Sequence, residues 1–152
     1  MANTLTVTTG YTEGVSVQCD GFTPVIKKHF DTSVVGMAAN AEIVALKVPE
    51  GSILRHVIID VKTAGTADVH VGNHIGGLTN SAITTDPDAY TGSETGDEID
   101  LSVLGKTLIA SPTAAIVAAD HYIVVKPLAA ESAAVFDIIA VVDVFDVAAY
   151  RN

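Results

Sequence analysis

The chain contains no tryptophan, one cysteine and few cations. Each shortage removes a class of function. A lone Cys19 cannot form an intramolecular disulfide or supply a cysteine-rich zinc site, so its expected place is that of a small buried apolar side chain. With no Trp and only four Tyr and four Phe, the chain has few exposed aromatic platforms of the kind that sugar-binding β-domains use. Eight basic residues against eighteen acidic ones give a net charge of −10. Affinity for phosphate backbones comes largely from Lys and Arg displacing counterions, so no nucleic-acid partner is expected. No Lys or Arg occurs between Lys62 and Lys106, whereas Asp68, Asp86, Asp88, Glu94, Asp97, Glu98 and Asp100 all fall there.

A long apolar run free of charge is missing too. The most apolar segment, near the C-terminus, is interrupted by Asp137, Asp143 and Asp146. Charges at membrane depth are costly, so no membrane partner and no spanning segment are expected. The opening MANTLTVTTG has neither a basic n-region nor an apolar h-region. No secretory signal is therefore expected, and synthesis in a cytosol-like compartment follows.

What the chain does have is apolar bulk: 49% of its 152 residues, dominated by Val, Ile and Ala. That length suits one domain with a sizeable core. Val and Ile are stiff at χ1 and fit a pleated surface, so the composition favours strands. Residues 1–40 alternate short β-like runs (TLTVTT, GVSVQ, TPVIKKHF) with polar residues and are expected to form an N-terminal arm and first short strands. Residues 41–152 form the expected body. Its runs are EIVALKV (42–48), SILRHVIIDVKT (52–63), ADVHVG (67–72), KTLIASP (106–112), AAIVAADHYIVVKP (114–127) and SAAVFDIIAVVDVFDV (132–147). In the second run, period-2 alternation puts Ile53, Arg55, Val57, Ile59 and Val61 on one face and Leu54, His56, Ile58, Asp60 and Lys62 on the other. The short AGTA link then predicts a hairpin returning through ADVHVG. In the last run Phe136, Ile138, Ala140, Val142 and Val144 share a face. About eight strands and no helix predict an all-β domain, a β-sandwich of jelly-roll type.

Three stretches carry candidate chemistry. In ADVHVGNHIGG, Asp68 and His70 share a strand face and His74 follows the expected strand end, so a carboxylate and two imidazoles are candidate metal ligands. The simpler reading is a solvent-facing strand running into a Gly-rich turn. In DPDAYTGSETGDEID, Asp86, Asp88, Glu94, Asp97 and Glu98 are candidate oxygen ligands for calcium. The register departs from an EF-hand: Tyr90 stands at the third ligand position, Gly92 comes one residue late, and Asp97 replaces the bidentate glutamate. LGKT (104–107) ends like a phosphate-binding loop, but Asp100 occupies the position of the required upstream glycine. His121 adjoins Asp120 without a Ser or Cys motif to complete a nucleophilic site. No cofactor and no enzymatic activity are expected.

The order of elements resembles a known family. An arm precedes VPEGSILRHVIIDV; a returning strand ends in VHVGN; a loop carries DPDAY and an acidic Gly/Thr tract; and the chain closes with YIVVKPLAAESAAVFDIIAVVDV. Over Ala41–Val147 this is similar to small structural proteins of tailed-phage virions, in particular head decoration (cement) proteins. The resemblance implies a jelly-roll or β-sandwich domain that assembles as a homotrimer on the capsid exterior and bridges major capsid proteins without catalysis. A second reading, of another class, is a tail- or fibre-associated β-module that binds a host surface glycan or protein.

Overall fold

The computed structural model describes residues 25–76, 84–92, 94–110, 112, 117 and 120–144. These form nine strands and no helix: β1 (Val25–Asp31), β2 (Ile43–Val48), β3 (Ser52–Thr63), β4 (Asp68–Ile75), β5 (Thr84–Asp86), β6 (Ile99–Asp100), β7 (Gly105–Ala110), β8 (His121–Pro127) and β9 (Val135–Val144). They build a four-stranded sheet in the order β1-β9-β3-β7 and a five-stranded sheet in the order β2-β8-β4-β5, with β6 also paired to β4. Every pairing is antiparallel.

The partners nest. β1 pairs with β9, β2 with β8, β3 with β7, and β4 with β5. Successive rungs of this long folded hairpin alternate between the two sheets, which is the topology of a jelly roll. The expected jelly-roll sandwich is therefore the fold, with one strand more than the expected count.

Period-2 alternation explains why the two sheets face each other. On β9, Phe136, Ile138, Ala140 and Val142 are fully buried, and on β1 Ile26 and Phe30 face them. Phe30 stacks on Phe136 with ring centroids 5.0 Å apart. Val57, Ile59 and Val61 of β3 complete the inner surface of this sheet. Across the core stand Ile43, Leu46 and Val48 of β2, Val69 and Val71 of β4, and Ile123 and Val125 of β8. Lys28 also points inward, opposite Ile138, and burial lowers its pKa.

Three local expectations change. Leu54 is buried with Val57 rather than opposite it, because a bulge between Leu54 and His56 shifts the phase of β3. Arg55 occupies the bulge and faces solvent beside His56. The expected hairpin across AGTA does not form: β3 belongs to one sheet and β4 to the other, so the link crosses the sandwich. Its donors are taken by distant residues, Gly65 N–H by the Leu101 carbonyl (2.9 Å) and Thr66 and Ala67 N–H by Glu131 Oε2 (2.7 Å each). Finally, β8 begins at His121, after Asp120 at φ 55°, rather than near Ala114. Residues 113–116 lie outside the described residues, as do 1–24, Cys19 and Phe145.

Candidate functional site

ADVHVGNHIGG lies mainly in β4, which extends through Ile75, so His74 is inside the strand rather than after it. Val69 and Val71 face the core, and Asp68, His70, Gly72 and His74 lie on the outward side. The Asp86–Gly92 segment roofs this side at Gly72. A Cβ at Gly72 would lie 2.0 Å from the Asp86 carbonyl oxygen and 2.4 Å from the Pro87 carbonyl carbon, so glycine is required by close approach of another backbone. Tyr90 and Thr91 N–H donate to the Val71 carbonyl (3.0 and 3.2 Å), and the Thr91 hydroxyl lies 3.1 Å from His70 Nδ1. The Tyr90 hydroxyl reaches His121 Nε2 at 3.1 Å. Burial pushes the Tyr90 phenol up to about 12 and lowers the pKa of His121, which favours its neutral ring.

This geometry separates the candidate ligands. His70 is held by Thr91, while His74 is fully buried with its ring edge-on to Tyr122 at 6.0 Å. Four strand residues place them about 13 Å apart along β4, with the roofed Gly72 between. Asp86 and Asp88 share a side-chain hydrogen bond, which together with burial and their mutual repulsion raises the pKa of Asp86. Asp97 faces elsewhere, accepting from Glu94 N–H at 3.2 Å and lying against Gly92. Glu98 and Asp100 accept from Gly96 and Ser102 N–H in the same local manner (2.7 Å each). Among the described residues, no three of His, Cys, Asp and Glu gather into a group able to hold a metal ion. The LGKT stretch leads into strand β7, so no helix N-terminus follows to receive a phosphate. No helix among the described residues is long and apolar enough to cross a membrane.

Two features escaped the sequence reading. The first is Glu131, which is fully buried between loops. Its Oε2 takes the two link donors already named, and its Oε1 takes Ser132, Ala133 and Ala134 N–H at 2.9, 2.8 and 3.1 Å. Burial alone would raise this carboxyl, but the N–H groups of Ala67, Thr66, Ala133 and Ala134 outweigh it and hold the pKa at about 2. Glu131 thus ties the β3–β4 crossover to the β8–β9 loop. Its backbone also pairs with Met37 in the β1–β2 loop, so three loops converge on one residue. An acid after LAA offers no local sign of this in the sequence, because Thr66 and Ala67 lie 65 and 64 positions away and Met37 further still.

The second feature is the outward face of the four-stranded sheet. Asp137 and Asp60 stand directly opposite each other on β9 and β3 and are nearly buried, at 4% and 5% exposure, although they point away from the core. Facing like charges are unfavourable unless cations intervene. Here His29 Nδ1 lies 2.7 Å and Lys27 Nζ 3.9 Å from Asp137, while Lys62 bonds to Asp60. Arg55 bonds to Asp143 three outward positions further along β9, past Ile139 and Val141. Beside this charged lattice runs a row of Ile139, Ile58 and the exposed Leu108, next to Val25 and Val141. The face therefore combines an apolar band with charged pairs on either side of it.

No family model and no curated protein matches the chain. A chain in the solved structure "Capsid of Ralstonia phage GP4" shares its fold, with a TM-score of 0.60 and 19% sequence identity over 90% of this chain and 96% of that chain. At that identity the likeness is one of fold. It extends over almost the whole of both chains, so it concerns the complete jelly roll and not a shared fragment.

Proposed function

We propose that this protein is a non-enzymatic structural component of a tailed-phage virion, which decorates the capsid exterior as a homotrimer and stabilises it by bridging major capsid proteins. The observation that carries the reading is the nearly end-to-end fold likeness to a chain of a phage capsid, joined to the element order that resembles decoration proteins. The physical features agree. The described residues form an all-β body in which Asp97, Glu98 and Asp100 cap turns and Asp60 and Asp137 are held in ion pairs. A net charge of −10 opposes contact with packaged DNA and suits a basic rim on a shell. The N-terminal arm expected within residues 1–40 would lie on the shell; Val25–Asp31 of that stretch forms β1, and residues 1–24 lie outside the described residues.

Co-sedimentation with empty shells tests this. The full chain is expected to pellet with shells to saturation, and a chain lacking residues 1–24 is expected to stay folded and remain in the supernatant. A protein that ignores shells but binds host cells would instead support the tail- or fibre-associated reading.

A further inference from the structure

The edge of β4 that faces away from β8 is held in three ways. β5 pairs with one end of it and β6 with the other, both through strand hydrogen bonds. Between them, residues 86–92 hold on through the Val71 carbonyl and through side chains, above all Tyr90. The Tyr90 ring packs against the core from this edge. Its hydroxyl reaches Nε2 of His121, the first residue of β8, and also meets the Asn73 side chain of β4. The Asn73 contact favours the ionised phenol, so the Asn73 amide is the donor and the phenol oxygen the acceptor. The hydroxyl proton is then left to point at His121 Nε2, which accepts it only as a neutral ring.

Protonation upsets that arrangement. A proton on Nε2 turns the acceptor into a second donor, aimed at a hydroxyl that already accepts from Asn73. The surroundings of His121 do little to welcome a cation. Ile75 and Asn73 of β4 and Val48 of β2 stand beside it in the strand register, with His74 and Lys47 next to them. Asp120 adjoins it in sequence, but its carboxylate is engaged by Lys47 at 3.6 Å. Tyr90 comes from the roof, and Asp86 and Asp88 bond to each other at the start of that turn. Among the described residues no carboxylate pairs with His121. Its pKa is lowered by burial from 6.5, so the stability it contributes is present above that value and is lost as pH falls below it. Asp68 and Asp86 are raised, and acid favours their folded forms, but they start from 3.8, so the histidine is met first.

We infer that Tyr90 and His121 form an acid-released latch. Protonation of His121 frees residues 86–92 from β4 and bares Gly72 and the Val71 carbonyl, while the rest of the sandwich stays folded. The opening is local because the other fastenings do not pass through His121. β5 and β6 keep their own pairings to β4, and the core of the four-stranded sheet holds no histidine. Glu131, which ties three loops, keeps its charge until pH falls below its ordinary value of 4.5. His70 also touches the roof, but through Thr91 rather than Tyr90, and so provides an internal comparison. The latch is independent of the proposed virion role and stands or falls on the purified protein.

The experiment is nuclear magnetic resonance of the full chain from about pH 7.5 to about pH 5, the span in which histidine is the side chain that ordinarily titrates. Amide hydrogen exchange and the titration of each histidine ring are followed together. Protection of the Tyr90 and Thr91 amides, corrected for intrinsic exchange, is expected to fall severalfold, in step with the His121 ring and below pH 6.5. The amides of Phe136 and Ile138 are expected to keep their protection. His121→Gln retains an acceptor for the Tyr90 hydroxyl but does not titrate, and its roof protection is expected to stay level with pH. If that variant fails to fold, the ring titrations of the unmodified chain decide. Roof protection that is unchanged down to about pH 5 overturns the inference, as does a loss that follows the His70 or His74 ring instead. A loss that persists in a folded His121→Gln chain, or that extends to Phe136 and Ile138, overturns it too.

Discussion

Glu131 accepts five backbone N–H groups from two loops, a load that only an ionised carboxylate can carry. Replacing it by glutamine keeps the shape but turns one acceptor into a donor aimed at other donors. Glu131→Gln is expected to lower stability by about 3 kcal/mol, seen as a shift in the denaturant midpoint with an unchanged slope. The same residue sets a pH dependence. Its folded pKa of about 2 lies below its ordinary value of 4.5, so its contribution is complete above that ordinary value and is lost as pH falls from about 4.5 towards 2. That loss is on the order of 3 kcal/mol for the native chain, and the Gln variant is expected to lack this part of the acid sensitivity. Gly72 is the second test at this scale. Gly72→Ala forces a methyl group into the Asp86–Pro87 backbone and is expected to cost roughly 1–3 kcal/mol. Faster hydrogen exchange at the Tyr90 and Thr91 amides would locate that damage in the roof. Tyr90 itself is expected to ionise near 12, later than an ordinary tyrosine, in an ultraviolet titration.

At the scale of elements, the long strands were legible because alternation marks them directly. The run SILRHVIIDVKT gives β3 with its observed ends, and the face shared by Phe136, Ile138, Ala140 and Val142 is the buried one. What alternation cannot encode is where a strand goes next. A four-residue Gly-containing link suits a return within one sheet as well as a crossing to the other, and the choice at AGTA depends on Glu131 and Leu101, far away in the chain. The β3 bulge was hidden for a related reason: a phase change at Arg55 resembles one misplaced charge on a regular strand. The roof over Gly72 left a clearer trace, since a glycine inside a strand pattern signals close backbone approach. Candidate ligands His70 and His74 shared a short stretch of sequence, but a strand spreads such residues where a helix turn would gather them. The role of β1 as an edge strand yields a direct prediction. Removal of residues 1–24 leaves β1 whole and is expected to leave cooperative unfolding intact. Extending the deletion through Asp31 removes Ile26 and Phe30 from the core, together with the stack on Phe136, and is expected to abolish the cooperative transition.

At the scale of the molecule, the nested jelly roll presents a four-stranded sheet whose outward face carries apolar side chains among paired charges. Its net charge of −10 is also divided unevenly, with six acids concentrated over Asp86–Asp100 and half of the basic residues spread over one sheet face. The proposed decoration of a capsid would use these surfaces against capsid subunits. The most direct test is electron cryomicroscopy of empty shells incubated with the purified chain. The account predicts additional density on the outer surface, shaped as a small ring of β-sandwiches, with each sandwich touching more than one capsid subunit. Bare shells at saturating protein, or density confined to the tail, would contradict it.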